Sequence, residues 1–334
     1  MGRFLPERGL AVMAAICVLL GVFSPRVAAQ LTTRQNIRYL DFKKVRYLHL
    51  SDVARYYGMQ CSVSGKQCVL FSQYSRLVFE QDSRQFQLTG IKANLSYPIA
   101  KIGRSMLLAQ TDFVDFIDPI LRRKIIPKRQ VRHIMLDPGH GGGDTGAIAE
   151  KVAEKNINLL MARRIAAILR KRGYRVTLTR ENDQSLSLKQ RAAAVKKTEP
   201  DVFLSIHCNS IGNSTSKGIE TYIANPAQTP SSGGNVVAKK AAPANAYNCE
   251  NALLAYLLQK QLLTASKTTD CGIKRKQFYV IREVACPAAL LEIGFLSNAA
   301  ERQLLLQSLY QDKLAVAVCD ALQKFEQALL PSAQ

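Results

Sequence analysis

The sequence predicts an α/β domain, with a largely parallel sheet flanked by helices, preceded by a small β-rich module. Two observations carry this. Beyond Arg132, apolar runs of strand length alternate with amphipathic helical stretches, the pattern of βαβ units. Between about Arg38 and Asp118, short apolar runs are separated by turn signals with almost no helical text between them, which reads as a compact antiparallel unit. A chain of 334 residues with 47% hydrophobic content has room for both units and is too apolar for wholesale disorder.

Residues 1–29 read as a secretory signal peptide. Arg3 and Arg8 precede an apolar core from Leu10 to Phe23, and Val27-Ala28-Ala29 supplies the small residues of a cleavage site. The apolar core falls short of the ~20 residues a membrane span requires, and the rest of the chain contains no apolar stretch long enough to cross a bilayer. The mature chain, from Gln30, is expected to be exported to the periplasm or cell envelope.

The β-rich module is expected over residues 30–118, with strands such as Tyr47 to Leu50, Cys68 to Phe71, Arg76 to Phe79 and Met106 to Leu108, and one or two helical turns at Ser51 to Gly58. The arrangement resembles the copper amine oxidase N-terminal-like module found beside exported wall enzymes. The resemblance does not imply copper, and the role it implies is binding or spacing. Residues 119–130 follow as a basic linker, with Arg122, Arg123, Lys124, Lys128 and Arg129 around Pro127.

The α/β domain is expected over residues 131–330. Its elements read in order as a strand at Ile134 to Leu136, a helix from Asn156 to Arg172 stopped by Gly173, a strand at Arg175 to Leu178 and a helix from Leu188 to Lys197. Val202 to Ile206 and Ile219 to Ile223 are further strands, and a helix runs from Asn251 to Ala265. Tyr279 to Ile281, Ala288 to Glu292 and terminal helices to Leu330 complete the alternation. Asn225 to Asn248, rich in Pro, Ala, Ser, Gly and Asn, is expected to be a mobile loop.

Seven of the eight cysteines lie beyond the leader, so an oxidising compartment permits disulfides and leaves at least one thiol unpaired. A two-residue turn at Ser64-Gly65 would set Cys61 directly opposite Cys68 in a hairpin. Cys208 reads as a buried, inert thiol. The net charge of +21 would favour nucleic acid in a cytoplasmic protein. Export removes that partner, and leaves electrostatic contact with anionic envelope surfaces, or solubility alone, as its meaning.

Four polar residues carry the chemistry. His140 sits in a glycine-rich turn after an apolar strand, Glu154 precedes a helix, and His207 and Glu292 end apolar strands. In open α/β sheets functional groups gather beyond the carboxyl ends of strands, which is the reason to group residues so distant in sequence. Two histidines and a carboxylate match a zinc shell with an open fourth position, and a second carboxylate can serve as base. Neither GxGxxG nor a Walker lysine pattern is present, which sets nucleotide binding aside.

The motifs Asp137-Pro138-Gly139-His140-Gly141-Gly142, Glu154-Lys155-Asn156-Ile157-Asn158-Leu159, Thr179-Arg180, Leu188-Lys189-Gln190-Arg191, Ser205-Ile206-His207-Cys208-Asn209, Gly218-Ile219-Glu220-Thr221 and Leu291-Glu292-Ile293-Gly294-Phe295-Leu296-Ser297-Asn298 resemble, in order, those of the type 3 N-acetylmuramoyl-L-alanine amidases. The match spans about Val131 to Leu329, and Val195-Lys196 stands where the family has Ala-Asn. The resemblance implies one zinc ion held by His140, Glu154 and His207, with Glu292 as the catalytic carboxylate. It also implies peptidoglycan as partner and cleavage between N-acetylmuramic acid and L-alanine, in wall remodelling or daughter-cell separation. Arg180 and Arg191 can hold substrate carboxylates or form structural ion pairs, and Asn209 is a further candidate for substrate contact. A zinc peptidase acting within the stem peptide and a catalytically inactive wall-binding protein are the alternatives. The resemblance also implies a comparison with those members of the family that carry an inhibitory helix plugging the site with a carboxylate; in this chain its place is held by Asn225 to Asn248, which contains no Asp or Glu. Residues 131–334 are therefore expected to act without a partner.

Overall fold

The computed structural model describes residues 37–234, 237 and 240–330. The expected leader lies outside the described residues. Among the described residues no helix is long and apolar enough to cross a membrane.

The amino-terminal region is β-rich, as its alternating runs require. β1 (Tyr39–Phe42), β2 (Val45–His49), β8 (Ala100–Ile102) and β9 (Ser105–Ala109) form a four-stranded antiparallel sheet. α1 (Leu50–Tyr56) follows β2, and the meander β3 (Gln60–Ser64), β4 (Gln67–Phe71), β5 (Arg76–Glu80), β6 (Gln85–Leu88) and β7 (Ile91–Asn94) makes a second antiparallel unit. Its residues alternate inward and outward, with Leu77 and Phe79 of β5 and Phe86 and Leu88 of β6 buried.

The hairpin turn lies one residue later than expected. Ser64 pairs with Gln67, so Gly65 and Lys66 form the turn, and Gly65 supplies its positive φ of 58°. That shift pairs Cys61 with Leu70 and Cys68 with Val63. The two thiols are therefore diagonal neighbours, free, with Sγ atoms 3.8 Å apart.

The α/β region places β10 (His133–Pro138), β13 (Arg175–Leu178), β14 (Val202–Asn209) and β17 (Ala288–Phe295) parallel in the order β13-β10-β14-β17. β15 (Ile219–Ala224) runs antiparallel to β17, and β16 (Asp270–Lys276) runs parallel to β15. β11 (Ile148–Ala149) and β12 (Val152–Ala153) form a small hairpin before the first long helix.

Helices cover both faces of this sheet. α3 (Glu154–Lys171), α5 (Asn248–Ser266) and α8 (Ser308–Leu329) pack on one face, where Ile157, Ile165, Leu257, Val318 and Phe325 meet Ile134, Leu136, Leu204 and Leu291. α4 (Leu188–Thr198) and α6 (Tyr279–Arg282) cover the other, where Val195, Val280 and Ile281 meet Met135, Phe203 and Leu290. The strands are apolar on both sides because both sides are covered. α7 (Ala299–Leu306) links β17 to α8. α4 starts where Ser187 and Gln190 close a capping box.

Three findings differ from the sequence reading. β16 is a strand without an apolar run: Asp270-Cys271-Gly272-Ile273-Lys274-Arg275-Lys276 is polar because Lys274 and Arg275 each meet a carboxylate. Tyr279–Arg282 is a helical turn between β16 and β17. The expected basic linker is packed rather than free. Gln110–Asp112, Phe113–Ile117 and Asp118–Leu121 run on as one helical segment, α2, which buries Pro119 and Ile120. The chain then carries buried Ile126 and pairs Arg129 N–H with the Leu329 carbonyl.

The two regions share one sheet and one core. Ala93 of β7 bridges Ile273 of β16, which joins the meander to the α/β sheet as eleven strands. At the seam, Arg275 Nη1 donates to Asp112 Oδ1 at 2.7 Å and to Ser96 Oγ, with both members of the ion pair fully buried. Lys92 N–H donates to Asp270 at 2.7 Å, and Tyr97 OH to the Gln228 carbonyl at 3.1 Å. The described part of the expected mobile loop docks here too. Asn225, Thr229, Ser231 and Ser232 are buried, Arg84 donates to the Ser231 carbonyl, and Pro243–Tyr247 forms a short 3-10 turn. Backbone polar groups buried in this way need partners, and the seam supplies them.

Candidate metal and catalytic site

The site lies at the carboxyl ends of β10, β14 and β17. β10 ends at Pro138, and the Gly139 N–H bonds to the Ile206 carbonyl of β14 at 3.0 Å, holding the following turn against that strand. His140 has a φ of 60°, a conformation sparsely populated by residues other than glycine, so the surroundings must hold it there. They do so with two buried arginines. Arg191 donates to Asp137 Oδ1 at 2.6 Å, to the Pro138 carbonyl at 2.8 Å and to the His140 carbonyl at 2.7 Å. Arg180 donates to the carbonyls of Pro138, Gly139, Lys155 and Asn182. Of the two roles open to these arginines, the structure selects the structural one, because their donors are spent on the loop rather than turned to a substrate carboxylate. Asp137, fully buried, also accepts from Thr179 and Ser205 and ties the loop to β13 and β14.

Glu154 opens α3, where an acidic side chain is favoured by the helix dipole. It is buried, and it receives the Ala147 N–H at 3.0 Å, the Asn158 amide at 3.1 Å and the Cys208 N–H at 3.2 Å. Its oxygens also meet both histidines. Oε1 lies 2.9 Å from His207 Nδ1 and Oε2 lies 3.3 Å from His140 Nε2. Burial raises the Glu154 pKa, but the hydrogen bonds with His140 and His207 outweigh it and hold the carboxyl well below its usual range. His140 is displaced upward, chiefly by its hydrogen bond to Glu154.

These three residues form a plausible cation site on geometry alone. One ligand atom from each of His140, Glu154 and His207 falls within 4.8 Å of the others. Two imidazole nitrogens and a carboxylate are the donor set of a catalytic zinc. His140 Nδ1, the nitrogen turned away from Glu154, lies 2.9 Å from Asp144 Oδ2, the carboxylate–histidine arrangement that orients a ligand ring. The residues present fit a zinc ion.

Glu292 completes the group. The two-residue period of the strands puts His207 of β14, Glu292 of β17 and Glu220 of β15 side by side on one sheet face, since His207 pairs with Glu292 and Glu292 with Glu220. Burial, then the nearby Glu154 and Glu220 carboxylates, push the Glu292 pKa well above the usual carboxylate range. Its Oε2 is buried with no hydrogen-bond partner among the described residues. An unpaired buried carboxylate oxygen is costly and concentrates where chemistry needs it.

Glu220 is held differently. Lys274 Nζ and the Tyr222 hydroxyl donate to it, and Asn209 Nδ2 donates at 3.1 Å. Asn209 thus lies at the edge of the site, beside Glu220. The sequence reading missed Asp144, Glu220 and Lys274. Glu220 stands within the motif Gly218-Ile219-Glu220-Thr221 with no local sign of its neighbours, and Lys274 sits on the strand that lacks an apolar run. Cys208, next to His207, points to the other face among the buried residues of the three-helix side, and burial pushes its thiol well above the usual range, which fits an inert thiol.

Gly139 is required by a close approach. A Cβ at this position would lie 2.2 Å from the His207 ring. Gly139→Ala is expected to displace that ring and lower metal affinity at least about tenfold, the size of effect seen when ligand orientation is lost. Titration with zinc checks this, and unchanged affinity would show that the ring position does not matter.

Comparison with known proteins agrees with this architecture. The model of the N-acetylmuramoyl-L-alanine amidase family, type 3, matches residues 134–324, more than half of the chain. The chain is 35% identical over 187 residues to the N-acetylmuramoyl-L-alanine amidase LytC of Bacillus subtilis; that match covers 56% of this chain and 34% of the relative's length. It is 32% identical to the germination-specific N-acetylmuramoyl-L-alanine amidase of the same organism, covering 55% of this chain and 76% of that protein. Among solved structures, the catalytic domain of the amidase CwlV from Bacillus (Paenibacillus) polymyxa var. colistinus is similar at 34% identity and a TM-score of 0.50, over 59% of this chain and 99% of that one. The family match begins at Ile134, so the amino-terminal β region lies outside it. The His–Glu–His cluster, the neighbouring glutamate and this match together make the chain a member of the type 3 N-acetylmuramoyl-L-alanine amidases, a family of hydrolases.

Proposed function

We propose that the chain is a zinc-dependent enzyme that hydrolyses the amide joining the lactyl group of N-acetylmuramic acid to L-alanine in peptidoglycan. The observation that carries this reading is the convergence of His140, Glu154 and His207 on one point, with Glu292 on the adjoining strand. A zinc ion held by those three side chains would polarise the scissile carbonyl and make water acidic enough to attack near neutral pH. Asp144 fixes the His140 ring, and Glu154 is kept ionised by its two histidine contacts.

Glu292 acts as the general base and then the acid. It takes a proton from the attacking water as the C–O bond forms, and returns it to the L-alanine nitrogen as the C–N bond breaks. The products are the free lactyl carboxylate and a stem peptide with a free amino terminus. The unpartnered Glu292 Oε2 leaves a carboxylate oxygen free to take and return that proton. Arg180 and Arg191 support the reaction by holding the loop of His140 in its strained form, and Asn209, which donates to Glu220, is the candidate for substrate contact.

Export follows from the leader pattern over residues 1–29 and places the enzyme where its polymer is. A relative at 29% identity is described as a probable cell wall amidase, LytH of Staphylococcus epidermidis. The occasion we favour is wall remodelling or daughter-cell separation.

Metal analysis tests the ligand set. Glu154→Ala and His207→Ala should each lose zinc and activity together, with the wild type binding one equivalent. Stoichiometric zinc in purified His207→Ala protein would overturn the assignment.

A further inference from the structure

The basic stretch after Leu121 takes no part in the metal site. Its residues form one wall of a cleft of about 940 Å³ at the seam between the two regions. The other walls come from the β6–β7 turn at Leu88 and Thr89, the middle of α5 at Tyr256 and Lys260, and the end of α8 at Lys324. Five cations line it: Arg122, Arg123, Lys124, Lys260 and Lys324, and no aspartate or glutamate lines it. Arg122 is satisfied by Asp118. Among the described residues, the other four have no carboxylate partner. Lys260 stands over the Tyr256 ring, 5.8 Å from its centroid, and Lys324 donates to Gln261 at 2.8 Å.

Gathering like charges around a concavity is unfavourable unless an anion shares it, because cleft walls of low dielectric focus the field. The floor is aliphatic, with Leu88, Ile120 and Leu257, and the rim carries Tyr74, the most exposed of the large apolar side chains at 82%. Aliphatic floor, exposed tyrosine and cationic rim together suit an amphiphile with an anionic head rather than a bare ion. The Arg129 N–H to Leu329 carbonyl bond puts the end of α8 at the amino end of β10, whereas His140 follows the carboxyl end of that strand. Occupation of the cleft would leave the metal site free.

We propose that this cleft docks the chain on an anionic phospholipid headgroup, with Arg123, Lys124, Lys260 and Lys324 taking the phosphate. The inference does not depend on the amidase reading, since it concerns other residues and is read by a binding assay.

The test is cosedimentation of the chain from residue 30 with phosphatidylcholine vesicles that do or do not contain phosphatidylglycerol. The wild type should bind only the anionic vesicles. Lys260→Gln/Lys324→Gln should weaken that binding about 25-fold, from about fivefold per basic residue near an anionic surface. Both side chains are exposed, so the variant should fold and keep wild-type activity on soluble wall fragments. Lys196→Gln/Lys197→Gln, an equal charge change on exposed positions of α4, should weaken binding less than about twofold beyond general screening. Equal loss in both variants would reduce the effect to net charge and overturn the proposal. Wild-type binding to inorganic phosphate with none to anionic vesicles would make the cleft a small-anion site and overturn it equally. Loss of wall binding in the cleft variant with vesicle binding intact would assign the cleft to wall carboxylates, against the proposal.

Discussion

Glu292→Gln should leave zinc stoichiometry unchanged and lower turnover by roughly 10²–10⁴-fold, the range over which a positioned acid–base group contributes. Gln keeps the size of the side chain and removes its ability to take and return a proton. The surroundings make the substitution mild for the fold: Glu292 Oε2 has no hydrogen-bond partner to lose, and its neighbours Glu154 and Glu220 repel its charge. Activity should therefore be lost without loss of the fold, with the melting temperature close to that of the wild type. The separation matters because loss of a ligand would remove both metal and activity. Activity within tenfold of wild type, with zinc retained, would show that the base lies elsewhere.

The second large effect is expected far from the metal. Asp112→Ala should destabilise the whole chain by about 3–5 kcal/mol, the cost of leaving one member of a buried ion pair alone, and lower Tm by roughly 10 °C. Arg275 is fully buried against Asp112, and Asp112 also accepts the N–H groups of Ser96 and Tyr97 at 2.7 and 3.1 Å. Arg275 belongs to β16, the strand whose neighbouring residue Lys274 holds Glu220 beside Glu292. The effect should thus be one cooperative transition shifted downward, measured by calorimetry. Two separate transitions, with only the lower one moved, would mean that the regions fold independently. The same seam bears on the excised piece 131–334. It retains Arg275 and loses Asp112, Ser96 and the β7 partner of β16, so the expectation that this piece acts alone does not follow from the packing.

Much of the site was legible because catalysis at strand ends leaves a local mark. His207 and Glu292 each end an apolar run and His140 lies in the glycine-rich turn that follows one, and the β14–β17 register brings His207 and Glu292 together as that pattern implies. The helix holding Glu154 showed its amphipathic period and its Gly173 stop, although it begins two residues earlier than expected, at Glu154 itself. What escaped was set by long-range pairing. β16 has polar residues because its partners are carboxylates 54 and 163 residues away in sequence, and no local pattern reveals such partners. Arg180 and Arg191 carried either of two readings until their donors were seen to end on carbonyls of the His140 loop. The hairpin cysteines depended on a one-residue register, which the position of a positive-φ glycine decides. The basic linker and the polar loop misled for one reason: composition reports solvent preference, whereas Ile126 and Arg129 of the first and Asn225 to Ser232 of the second are packed against neighbouring elements.

The central claim is that this site cuts the bond between the sugar and the peptide. Mass spectrometry of purified peptidoglycan digested by the zinc-loaded chain, with and without a chelator, tests it most directly. The account predicts intact stem peptides with a free L-alanine amine, glycan strands ending in the lactyl carboxylate, and no release once the metal is removed. Fragments cleaved between amino acids of the stem, with muramic acid still bonded to L-alanine, would contradict it.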